Sequence, residues 1–392
     1  MTRRSRFWRR VVLIAAVLGI LIYFNRATVL TLVADTIGLW SPFTGLTSDG
    51  VVTPGLFVIE PTGVPTDAVL VAARTFLDGL SDEQRAETMF PLNSDEWRRW
   101  MNIHLYDRRG MGFIDMTPQQ KALGYALLES GLSERGYAQV RDIMRLDTTL
   151  GELKGNDFEW FGEERYWITV MGEPDAEHPW GWQLDGHHLI INYFLLGDQV
   201  VMSPVFLGAE PVVASSGVHA GVAVLQEEQN QGLAFIQTLS QVQRDAAVLA
   251  DDKPGNNAYG EFYSDNEIVP LQGVSAGTFD DAQAQQFLDL IRLYVGHMSS
   301  GHAAVKMAEV TRFLDDTFFV WMGGQSDTEA YYYRIQSPVI MIEFDHQRPV
   351  GLATLTGDRS PTREHIHAIM RTPNGNDYGK DLLRQHYERH PH

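Results

Sequence analysis

The segment EHIHAIMR carries His365 and His367 two residues apart. On a β-strand such residues share one face, so both imidazoles stand over one point, with Ile366 and Ala368 on the other side. That arrangement chelates a transition metal well. The segment IMIEFDHQ puts Glu343 and Asp345 on one face of a strand and Ile340, Ile342 and Phe344 on the opposite one. If the two segments pair as a long-looped hairpin, Glu343 comes near the histidine pair. A third stretch, WGWQLDGHHLIINY, sets His187 beside His188 directly after Gly186. Adjacent residues of a regular strand face opposite sides. Both therefore reach one ion only at a bulge or a strand end, which Gly186 permits. Trp180, Trp182 and Tyr193 are expected to wall the pocket.

The expected constellation is His187 or His188 (or both), with His365, His367 and Glu343. Imidazoles with a carboxylate suit Zn, Fe, Mn, Ni or Cu. An open coordination position lets such an ion activate water or polarise an oxygen, with Glu343 as ligand or general base. In YYYRIQSP, Arg334 is placed to orient an anionic small-molecule substrate, or else to form a buried pair with Glu343. His346, three residues after Glu343, is a candidate outer ligand. The first reading is a metal-dependent hydrolase. An Fe- or Cu-dependent oxidoreductase and a non-catalytic periplasmic metal- or ligand-binding module are the alternatives, and a cluster of histidines that only satisfy one another is the plainest one.

Other chemistries find little support. The chain has no cysteine, so disulfides, thiolate metal sites and cysteine nucleophiles are excluded. It has no P-loop and no G-x-G-x-x-G after a strand. The formal net charge is −19, although Arg3, Arg4, Arg6, Arg9 and Arg10 crowd the first ten positions. The remainder is more acidic still, and such a surface repels phosphate backbones, so no nucleic-acid partner is expected.

Those arginines precede VVLIAAVLGILIYF, residues 11–24, an unbroken apolar run. A basic region before an apolar one reads as an uncleaved signal anchor within residues 1–40. The arginines set the body outside the cytoplasm. A signal peptide cleaved to release a secreted protein is the second choice. Residues 41–65, rich in Gly, Pro and Thr, read as a linker, and residues 66–392 as the body.

Within the body, four sites share a small polar residue followed three positions later by glutamine: Ser81 and Gln84, Thr117 and Gln120, Ser240 and Gln243, Asp280 and Gln283. Each predicts a capping box that opens a helix. Their spacings of 36, 123 and 40 residues look irregular, and point to recurring capping chemistry rather than an internal repeat. Strand signals fall in 165–173, 181–208, 331–344 and 364–371, with a turn at Gly197-Asp198. Helical blocks between two strand blocks predict an α+β domain, one antiparallel sheet surrounded by helices.

Several long segments also carry a resemblance. PWGWQLDGHHL, YYYRIQSPVIMIEFD and HIHAIMRTPNGNDYGKDLLRQHY resemble motifs of the DUF3500 family, a domain of unknown function, and SGLSERGYAQVRDIM and MSPVFLGAEP are similar to its other segments. The match covers roughly residues 70 to 390. It implies a single domain and places Gly186, His187 and His188, Glu343 and Asp345, and His365 and His367 within the family pattern. His346 stands where the resemblance implies asparagine, and the loop at 347–363 is longer than it implies.

Overall fold

The computed structural model describes residues 26–353 and 357–390. The apolar run at 11–24, expected as an anchor, lies outside the described residues. Among the described residues, no helix is long and apolar enough to cross a membrane. The first described element is helix α1, Arg26–Gly38.

Twelve strands join in one sheet among the described residues. The first half supplies β1 (Met89–Phe90), β2 (Met111–Gly112), β3 (Tyr166–Met171), β4 (Trp180–Gly186), β5 (Leu189–Leu196) and β6 (Gln199–Ala209). The second half supplies β7 (Val248–Ala250), β8 (Val274–Ser275), β9 (Phe318–Gly323), β10 (Tyr331–Gln336), β11 (Met341–His346) and β12 (Ile366–Arg371). The order across the sheet is β1-β3-β4-β5-β6-β12-β11-β10-β9-β7, with β2 on β3 and β8 on β9. The long strands pair antiparallel, as expected, but β1 runs parallel to β3 and β7 parallel to β9. Each of these short strands leaves directly from the end of a helix, which sets its direction.

This order reads the same from both ends, and the halves repeat one another. Helices α2 (Asp67–Asp78) and α3 (Asp82–Thr88) lead into β1; α6 (Gln226–Thr238) and α7 (Gln241–Ala247) lead into β7. Helices α4 (Pro118–Gly131) and α5 (Glu134–Leu153) precede β3; α8 (Asp281–Val295) and α9 (Ser300–Arg312) precede β9. Four strands follow in each half. The reading of the capping boxes as unrelated is thereby corrected. All four form, and the intervals of 36 and 40 residues are the same step taken once in each half. Their glutamines also join the two helix starts of each half. Gln120 donates to Gln84 Oε1 at 2.7 Å and Gln243 to Gln283 Oε1 at 3.0 Å.

One face of the sheet packs on these helices. Trp182 stacks on Tyr193 with centroids 5.0 Å apart, and Phe344 on Tyr333 at the same separation. The other face holds Trp97, Trp100, Phe194, Phe206, Ile369 and Tyr378. It is closed by α10 (Lys380–Arg389) and by irregular chain. Residues 41–65, read as a linker, lie against the body: Leu46 and Phe57 are buried, and Val269 N donates to Thr47 O at 2.8 Å. The Pro and Gly content reports irregular backbone, not a free tether.

Phe344 is fully buried within an aromatic stack. Phe344→Ala should cost about 3–5 kcal/mol, read as a lowered midpoint in denaturant unfolding.

Candidate metal centre

The hairpin between β4 and β5 closes through two residues, His187 and His188, because Gly186 pairs with Leu189. At a turn the alternation of a strand no longer applies. The two rings lie on the same side and stack with centroids 3.9 Å apart. His188 takes φ +62°, a left-handed conformation that disfavours an L side chain. Two backbone bonds hold it there: His188 N donates to Asn102 O at 3.2 Å and Gly208 N to His188 O at 2.7 Å.

Gly208 lies on β6 and is the register partner of His367 on β12. A Cβ at this position would meet Ile366 O at 2.8 Å and His367 Cδ2 at 3.1 Å, so glycine leaves room for the imidazole. His365 stands just before β12 and shares the face of His367. The β4–β5 turn, β6 and the start of β12 thus bring His188, His365 and His367 together. His365 Nε2 lies 3.2 Å from His188 Nε2 and 3.1 Å from His367 Nε2. With metal–nitrogen bonds of about 2.0–2.1 Å, these spacings subtend roughly 100° at a common ion. That lies between a tetrahedral and an octahedral edge, and the buried group can hold a metal.

The other ring nitrogens set the tautomers. His365 Nδ1 donates to the Arg348 carbonyl at 2.7 Å, which only an N–H can do, so the neutral ring carries its lone pair on Nε2. His367 Nδ1 lies 2.7 Å from Glu261 Oε1, and an ionised Glu261 accepts its proton and likewise leaves the lone pair on Nε2. Burial first, and neighbouring rings second, push both histidines down to about 3, so neither is cationic at neutral pH. His188 is pushed well below its ordinary value for the same reasons. With Glu261 ionised, two lone pairs face each other across 3.1 Å in a buried site, which a cation relieves. Burial alone pushes the Glu261 carboxyl up to about 7.

Around the three rings is a cavity of about 270 Å³ lined by Asn102, His104, Leu150, Lys154, Phe161 and Val350, among others. It is at the small end of ligand pockets. His187 lines it as well and donates from Nδ1 to Asp147 Oδ1 at 2.6 Å. Glu210 also borders it, with its oxygens accepting from the backbone N–H groups of Val350, Gly351 and Leu352 at 2.7–2.9 Å.

Other residues expected here go elsewhere. The hairpin of β11 and β12 forms, but Asp345 is the partner of His367, and Glu343 faces Ile369. Glu343 accepts from Tyr259 N and Gly260 N, at 2.7 Å for the latter, and from Tyr332 Oη at 2.6 Å. Asp345 binds Lys253 Nζ at 2.7 Å and Asn257 N at 2.8 Å. Together they fasten residues 253–261 across the sheet and so deliver Glu261 to His367. Glu343 is a clamp for that strap rather than a member of the histidine group. Arg334 is buried opposite Glu343, donates to Pro270 O at 3.1 Å, and does not line the cavity. His346 lies toward the helices, accepts from Tyr331 N at 2.9 Å and pairs with Gln229 Oε1 at 2.8 Å. Glu261, Asp147, Asn102 and Lys154 escaped the sequence analysis. Each is a single residue far along the chain from the histidines and carries no local pattern.

The fold and site define an α+β protein of duplicated architecture with a buried three-histidine group on one face of its sheet. The family model described as "Protein of unknown function (DUF3500)" matches residues 62–380, and the chain belongs to that family. No curated protein and no solved structure matches.

Two variants separate ligand from clamp. Glu261→Ala should weaken zinc binding about 10–100-fold, the usual loss on removing a partner of a ligating histidine, as measured by competition with a chromophoric chelator. Glu343→Gln should lower the unfolding midpoint while the folded variant keeps its full metal content.

Proposed function

We propose that the chain is a metal-dependent enzyme that holds one divalent transition ion through Nε2 of His188, His365 and His367. The observation that carries this reading is the convergence of three Nε2 atoms, that of His365 fixed as a lone-pair donor, at the wall of a cavity. A structural site closes its shell with four protein ligands, whereas three ligands beside a cavity leave a position for water or substrate. Neutral imidazoles without thiolate or carboxylate suit Zn, Cu, Fe or Ni.

Hydrolysis is the reading the surrounding residues favour. An ion held there supplies Lewis acidity toward a substrate oxygen and acidifies water. The chain's own part is to move the proton. Asp147 orients His187 and holds its proton on Nδ1, which leaves Nε2 to accept one. This replaces Glu343 in the role of base. Leu150, Phe161 and Val350 exclude bulk water and strengthen each polar contact inside. An export signal within residues 1–40 would place this chemistry outside the cytoplasm, anchored at a membrane or released.

The test is the metal content of the purified full chain, by mass spectrometry, beside a His365→Ala/His367→Ala variant. One ion per chain in the parent, and its loss in a variant with unchanged circular dichroism, is the expected result. Zinc would direct assays to ester and amide hydrolysis, copper or iron to oxidation. A chain that stays metal-free after exposure to Zn, Fe, Mn, Ni and Cu would refute the proposal.

A further inference from the structure

The cavity beside the histidines also carries information about what enters it. Its charge is unusual. Glu210 borders the cavity, with its oxygens accepting from three backbone N–H groups of residues 350–352. Lys154 is the lining's one basic residue besides the histidines. It lies just past the end of α5, and no carboxylate comes within ion-pair distance of its ammonium among the described residues. Its closest polar contact is the Gly351 carbonyl, at 3.5 Å, and the Phe161 ring centre lies 5.8 Å away. An ammonium on the wall of a small, largely apolar cavity thus has no carboxylate in direct contact. Asn102, which also lines the cavity and is 3% exposed, keeps its Oδ1 buried with no partner. A buried unpaired amide oxygen costs about 1–3 kcal/mol, and a ligand N–H or O–H would remove that cost.

We infer that the cavity takes a small carboxylate with a compact apolar body, its anionic group on Lys154 and a donor group on Asn102. This rests on the metal-dependent reading only for what happens to the substrate, because Lys154 and Asn102 would select the carboxylate with or without the ion. The walls of Ile103, Leu105, Leu150, Phe161 and Val350 match an alkyl or aryl body. The volume of about 270 Å³ excludes polymers and nucleotides. The acidic chain, at −19 overall, also disfavours polyanions, so a single negative charge fits best.

The probes are benzoate and butyrate against benzamide and butyramide, which match them in size and lack the charge. Binding is titrated calorimetrically on the full chain, both zinc-loaded and EDTA-treated, with zinc content measured on the same samples. The expected result is at least about tenfold tighter binding of the acids than of the amides. Lys154→Met should weaken the acids by about tenfold, leave the amides unchanged and keep the zinc, while Lys154→Arg should retain most of the acid affinity. The Lys154 contribution should persist in the EDTA-treated protein, so absence of zinc would sink the metal reading alone. Equal affinity for acid and amide, acid binding indifferent to Lys154→Met, or no binding of either acid at millimolar concentration would overturn the inference.

Discussion

His365 gives its Nδ1 proton to a backbone carbonyl, and the character of the whole site depends on that bond. A carbonyl oxygen can only accept, so the ring is left with its lone pair on Nε2, aimed at the Nε2 atoms of His188 and His367. His367 is turned the same way by Glu261 when that carboxyl is ionised. Burial keeps both rings neutral. The histidines therefore cannot satisfy each other fully: at most His188 can supply an N–H to the group. Converging lone pairs in a buried site are a cost, and structures keep such costs where they serve binding.

The sheet exists in the right form to impose this geometry. Two similar halves meet where β6 pairs with β12, and the histidines sit next to that seam. His188 comes from the β4–β5 turn of the first half, His365 and His367 from the start of the last strand of the second. The corresponding turn of the second half is Pro338-Val339, where Ser337 N donates to Ile340 O at 2.8 Å, and β6 carries no histidine. The duplicated frame thus supports one histidine site, built from both halves. The strap at 253–261 completes it. Its anchors, Glu343 and Asp345, are carboxylates buried with their hydrogen-bond partners.

Much of this is legible in the chain, and the limits follow from geometry. His365 and His367 announce themselves because a two-residue period means one face on any strand. The α+β class follows from alternating blocks, and the four helix starts from local capping chemistry. His187 and His188 were readable as a pair, but their shared direction depends on a two-residue turn that strand periodicity does not describe. Glu343 lies on the expected face. What periodicity cannot show is that a distant segment covers that face and claims the carboxylate. The duplication was present in the paired intervals of 36 and 40 residues, yet a single list of spacings hides it behind the 123 residues between halves. Glu261, Asp147 and Lys154 reach the site through tertiary contacts alone, so no local signal marks them.

The most direct test of the account is X-ray absorption at the metal edge of the full chain loaded with zinc. Three imidazole nitrogens at about 2.0–2.1 Å, with one further light-atom ligand that exchanges when an anion is added, is the predicted result. A shell of four protein ligands, or one dominated by carboxylate oxygens without imidazole scattering, would contradict a three-histidine centre open to the cavity.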